Sequence, residues 1–438
     1  MKVIHKISAV CLSLSLISIS SYSKQEVNGN IFNQGGDNLI RADSSRYMNA
    51  IKSGSVYQLV ADPQNNLLYM SWGYRLGSHP DAGIIAFELD NLKAKGFING
   101  IHDVYGLAFD KENNRLLAEH TVSRKTDDGE ILKGNSFDII NLKDGSKLVK
   151  TIEIDQDKKD RDTFNSHYIF SNNNGDIFIS SESKPKKGGP EGKQKITKYD
   201  SSGTEVWQTK AFPGLVAALI SDNNIIAGVN DIYEISIKDG GIDKTLYARK
   251  PENSDARYMA LAQGDSVIYA SSFSKPENIK PDGSRYNNIY VIEKGKTAKG
   301  FSTVSYRNSS VGVGSTGIIV NPETKQLYTA NFNDNTLSII DIKNKNDLSK
   351  YKNIFIKNGW GINTVTFINS GDKTYIYAGL KGGYGKNIKY TEDIHDVKLA
   401  KITLNNKTTD LSSWCKISVL DIKSNKFDYT DQQCEVKK

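Results

Sequence analysis

The stretch Ser315–Lys343, STGIIVNPETKQLYTANFNDNTLSIIDIK, constrains the fold more than any other part of the chain. Alternating runs cover Gly317–Val320, Gln326–Ala330 and Thr336–Ile342, separated by Asn321-Pro322-Glu323-Thr324 and by Asn333-Asp334-Asn335. Successive side chains of a strand face opposite sides, and Asn, Asp and Pro suit the backbone angles of tight turns, so this pattern predicts an antiparallel meander. One meander cannot bury its own faces.

The unit recurs along the chain. Copies begin at Val56 (VYQLVADPQNNLLYMSW), Val104 (VYGLAFDKENNRLLAEH), His167 (HYIFSNNNGDIFISSES), Leu215 (LVAALISDNNIIAGVNDIYEISI), Tyr258 (YMALAQGDSVIYASSFS) and Ile362 (INTVTFINSGDKTYIYAGL). With Ser315–Lys343 they make seven. Sheets repeated around an axis cover one another's faces, and closing the ring shields the edges. The expectation is an all-β, seven-bladed β-propeller of four-stranded antiparallel blades around a central channel, spanning residues 54–412. Residues 24–53 read as a polar leader with a strand candidate at Leu39–Ala42, and 413–438 as a closing segment. Either Leu39–Ala42 or Ile417–Ile422 supplies the outer strand of the last blade.

Residues 1–23 read as a secretory signal: Lys2 and Lys6, then the apolar Ile7–Ile19, then Ser21-Tyr22-Ser23 with cleavage after Ser23. The apolar run is too short for a membrane span. The predicted location is therefore the periplasm or the medium. Loss of Lys2 and Lys6 lowers the formal charge from +7 to +5, a mild excess that suits anionic partners without requiring them. Two cysteines remain, Cys415 and Cys434, and in an oxidising compartment the simplest arrangement is one disulfide.

Leu327-Tyr328-Thr329-Ala330-Asn331 followed by Asn335-Thr336-Leu337-Ser338-Ile339-Ile340-Asp341 resembles the YVTN repeat, and the chain over about residues 55–410 resembles the exported seven-bladed YncE-like propellers. The resemblance implies a WD40-like propeller outside the cytosol, in a group generally treated as binding platforms.

In a four-stranded blade with strands A to D running outwards, the loops entering A and the loops joining B to C open on one face, here the top. The long insertions 73–82, 120–135, 181–195, 272–287 and 381–396 then share that face, and so do His79, His102, His120, His167 and His395. Loops on a rigid scaffold are where binding residues concentrate. His102, His167, Arg257 and Trp360, each expected to lie just before an inner strand and to point into the funnel, are the expected ligand contacts, joined by Tyr258 and Arg75. His102, His120, His167 and Glu119 form a candidate set for a transition metal, since neutral imidazole suits Zn, Cu, Ni or Fe. Scattered rim histidines without an H-x-H or H-x-x-x-H spacing are more often ordinary surface residues.

The preferred reading is a non-catalytic binding module that takes a small ligand, a metal ion or a partner protein segment at the top funnel. The rival is a metal- or histidine-dependent lyase or lactonase, with His120 or Glu119 as acid or base. A third reading, single-stranded DNA on the basic loop Lys184–Lys195 with aromatic neighbours, ranks below both. Gly312–Gly317 matches G-x-G-x-x-G but precedes a strand, so it reads as a loop rather than a phosphate cradle. Asp155, Asp157, Asp160 and Asp162 lack the Gly and Glu of a calcium loop.

Overall fold

The computed structural model describes residues 39–41, 55–73, 83–98, 101, 104–120, 124–125, 131–132, 136–143, 147–154, 164–183, 193–213, 217–221, 223–228, 231–243, 246–250, 257–274, 288–301, 313–332, 335–357, 361–382, 397–408 and 411–437. Its strands form seven antiparallel blades in a ring, a seven-bladed β-propeller. The innermost strands A are Ser55–Asp62, Gly106–Asp110, Phe164–Ser171, Ala217–Ser221, Arg257–Gln263, Val313–Asn321 and Ile362–Ser370 for blades 1 to 7. Among the described residues the only helix is the single turn Leu411–Trp414, and none is long and apolar enough to cross a membrane.

Period-two alternation produces the ring directly. In strand B of blade 1 (Leu67–Gly73), Leu68 and Met70 pack towards blade 7 whereas Leu67 and Tyr69 pack towards blade 2. In strand B of blade 2 (Arg115–His120), Leu116 and Ala118 face blade 1 and Leu117 faces blade 3. The described residues form seven apolar clusters, and each lies between two neighbouring blades, blade 7 against blade 1 included. The central strands of a blade thus contribute to two cores, which is why one meander alone is insufficient.

Three of the hairpins joining A to B on the bottom face follow one rule. Asp62, Asp110 and Asn321 end strands A of blades 1, 2 and 6, and each accepts a hydrogen bond on its side chain from the N–H three residues on, in Asn65, Asn113 and Thr324 (3.3, 3.3 and 3.4 Å). The chain then turns through left-handed Asn66, Asn114 and Lys325. Asx turns of this kind give the backbone a local partner where the sheet ladder stops.

Blade 7 is continuous in sequence. Cys415–Asp421 is its strand D, paired with Lys398–Asn405, and Lys426–Gln433 adds a fifth strand. Leu39–Arg41 instead pairs with the outer strand Ala94–Ile98 of blade 1. The ring therefore closes through side chains rather than a shared sheet. Asn363 Nδ2 donates to the carbonyls of Tyr57 (3.0 Å) and Val56 (3.3 Å), and the Tyr377 hydroxyl donates to Leu89 O at 3.0 Å.

The last strand, Glu435–Lys437, crosses over and pairs with strand D of blade 6 (Tyr351–Phe355). The disulfide Cys415–Cys434 fixes the start of this crossing. Closing a loop of that length contributes about 3 kcal/mol in the chain-entropy model.

Candidate functional site

The top end of the channel is built from a repeated irregularity in the inner strands. Strands A of blades 1, 3, 5, 6 and 7 each carry one residue more than strand B opposite, and the shift falls at the same level in every case. The extra residues are His167, Met259, Thr316 and Asn363 in blades 3, 5, 6 and 7, while in blade 1 Tyr57 and Gln58 together oppose Ser71. A bulge bends the strand and re-aims the side chain at that position. Tyr105 takes the matching place in blade 2, since Leu107, two residues on, packs towards blade 1 as Leu59 packs towards blade 7.

Two of these residues meet. The rings of Tyr57 and Tyr105 lie edge to face with centroids 4.5 Å apart, and Lys381, just past strand B of blade 7 (Lys373–Leu380), holds its Nζ 4.2 Å from the centre of the Tyr57 ring. Cation and π-face attract each other electrostatically, and a tyrosine pair in this geometry presents a rigid, half-apolar surface. Gly73 leaves room for it: a Cβ there would stand 3.1 Å from Tyr57 Cε2 and 3.3 Å from Tyr105 Cε1.

The bed beneath is hydrogen-bonded across blades 1 and 2. The Gln58 N–H donates to Ser71 Oγ (2.7 Å), that hydroxyl donates to Tyr105 O (3.1 Å), and the Leu107 N–H donates to Gln58 Oε1 (2.5 Å). Three blades, 7, 1 and 2, thereby fix one cationic and two aromatic groups at the channel mouth.

Glu119 and His120 end strand B of blade 2, and both are completely buried. Neighbouring strand residues face opposite sides, so the two side chains diverge. Glu119 Oε2 accepts from the Gly106 N–H at 3.1 Å, beside Ile169 of blade 3. His120 Nε2 lies 2.9 Å from Asp138 Oδ2, and the Thr151 hydroxyl donates to Asp138 Oδ1 at 2.6 Å.

Blade 6 repeats this chain at the same register with other residues. Asn331 Nδ2 donates to Ser338 Oγ (2.6 Å), which donates to Asn353 Oδ1 (2.6 Å). In both blades the last residue of B reaches the third residue of C, and that residue reaches its partner on D. The His120 arrangement is thus one version of a buried polar cross-tie, as a repeat architecture favours.

Among the other sequence candidates, Arg75, His102 and Trp360 lie outside the described residues, as do His79 and His395. Arg257 and Tyr258 open strand A of blade 5, and His167 lies within strand A of blade 3 rather than ahead of it. Among the described residues no group of three or more His, Cys, Asp or Glu side chains is arranged to hold a metal ion. Tyr57, Tyr105 and Lys381 were not among the sequence candidates. The signal was present in the matched Val-Tyr that opens the first and second copies, Val56-Tyr57 and Val104-Tyr105.

No family model matches the sequence, and no curated protein matches it. Solved structures do. Hydrazine synthase of Kuenenia stuttgartiensis is similar with a TM-score of 0.54 at 13% identity, over 78% of this chain and 95% of that one. The U3-55K structure gives 0.50 at 12% identity, over 78% and 94%. The WD40 β-propeller domain of Doa1 gives 0.48 at 15% identity, over 75% and 91%. At such identities the first two likenesses bear on the propeller fold alone.

Proposed function

We propose that the chain is an exported propeller of the YVTN-repeat kind that binds, without chemistry, a small anion carrying an aromatic or planar group at its channel mouth. The observation that carries this reading is the convergence of Tyr57, Tyr105 and Lys381 from three blades. An amphipathic aromatic pair offers area at little entropic cost, and a nearby cation adds selection for charge. Export is supported by the disulfide Cys415–Cys434, which persists in oxidising compartments. What favours binding over the metal-dependent lyase or lactonase is that His120 and Glu119 already have internal partners in Asp138 and Gly106.

The test is a titration with three probes: 2-naphthoate, the uncharged 2-naphthalenemethanol, and acetate. Naphthoate binds at least about tenfold tighter than either of the others, and Lys381→Ala and Tyr57→Ala each remove about 1–2 kcal/mol of that affinity. Equal affinity for the three probes, or no change in the two variants, would count against the site.

A further inference from the structure

On the bottom face, which carries the A-to-B hairpins, a cleft of about 640 Å³ opens between blades 6 and 7. That volume falls in the range of small-ligand sites. Its inner wall includes Trp414, buried in the turn that leads into strand D of blade 7. Lys352, on strand D of blade 6, shares the face of Ile354 in the core between the two blades and holds its Nζ 3.8 Å from the Trp414 ring centre. Among the described residues Lys352 has no carboxylate within ion-pair distance, and burial holds its amine below the usual lysine range.

Two further lining groups have their oxygens occupied and their amide hydrogens available. Gln326 Oε1 accepts from the hydroxyls of Tyr328 (2.9 Å) and Thr324 (3.1 Å), and Asn405 Oδ1 accepts from the Lys407 N–H (3.1 Å). Neither side-chain nitrogen donates to any other described residue. With Lys352 they leave three donors in one cleft, which calls for a guest rich in oxygen acceptors.

The charges narrow the choice. Lys343 and Lys350 also line the cleft, against Glu323 and Asp341, so lysines outnumber carboxylates by three to two. A compact, highly charged anion would meet both carboxylates at close range. Hydroxyl groups, by contrast, can donate to them.

We propose that this cleft is a second binding site, for an acidic monosaccharide or a similar polyhydroxylated carboxylate. Lys352 anchors the carboxylate, Gln326 and Asn405 donate to hydroxyl or ring oxygens, and Glu323 and Asp341 accept from the hydroxyls. The site is independent of the channel mouth.

Calorimetric titration of the full chain with D-glucuronate, D-glucose and acetate tests it. Glucuronate gives saturable binding, and glucose and acetate bind at least about tenfold more weakly. Lys352→Gln lowers glucuronate affinity by about tenfold and Gln326→Leu, which leaves the Trp414 contact in place, by about fivefold, whereas Tyr57→Ala leaves it unchanged. Absence of saturation, equal binding of glucose, or wild-type affinity in both cleft variants would overturn the proposal.

Discussion

Replacing His120 by Ala lowers the unfolding free energy by about 3–5 kcal/mol, because it opens a cavity in a fully buried site and takes a hydrogen-bond partner from the buried Asp138. His120 and Asp138 both have 0% side-chain exposure. The substitution leaves the Asp138 carboxylate in the blade 1–2 region with the Thr151 hydroxyl but without the imidazole 2.9 Å away. The variant that distinguishes a structural cross-tie from a functional histidine is the double substitution His120→Asn with Asp138→Ser, which installs the blade 6 solution of Asn331 and Ser338 in blade 2. It recovers at least half of the loss, because an amide and a hydroxyl form a neutral pair with lower desolvation cost. Urea unfolding of the wild type, the single variant and the double variant supplies the comparison. A double variant as unstable as His120→Ala would show that the two blades do not share one design.

The second large effect is at the seam of the ring. Tyr377→Ala costs about 3–5 kcal/mol through the cavity it opens between blades 7 and 1, and Tyr377→Phe about 1–3 kcal/mol through loss of the bond to Leu89 O. Tyr377 is 1% exposed, and burial, reinforced by Asp90, pushes its phenol far above the ordinary tyrosine range, so it remains a donor at every physiological pH. No backbone strand pairing joins blade 7 to blade 1 among the described residues, and the seam depends on such side chains. Val206→Ala, at a position 51% exposed, serves as the control. Comparable urea midpoints for Tyr377→Ala and the control would show that the seam bears little of the stability.

The architecture was legible because alternation writes both faces of the central strands into the sequence: Leu67 and Leu68 are neighbours in the chain yet serve different cores. Strand Lys426–Gln433 was not legible. Its residues are nearly all exposed and show no apolar alternation, so only backbone pairing and the Cys415–Cys434 link place it. The inner-strand bulges were equally hidden. One added residue in Val56-Tyr57-Gln58-Leu59 leaves the run looking continuous, yet it changes which side chain is aimed at the channel.

The same reason explains the candidate site. Reading inward-pointing residues from their position just before a strand favoured His102, His167, Arg257 and Trp360, while the described mouth has only Tyr105 in such a position, immediately ahead of Gly106; Tyr57 lies within A and Lys381 beyond B. The cross-tie of His120, Asp138 and Thr151 needs the register of three strands, which spacing along the chain does not supply.

The most direct test of the channel-mouth reading is hydrogen–deuterium exchange with and without saturating 2-naphthoate. Protection confined to peptides covering Val56–Leu59, Val104–Leu107 and Gly379–Gly382 is the predicted result, because the ligand would rest on Tyr57, Tyr105 and Lys381. Protection elsewhere with none at these three segments would contradict it.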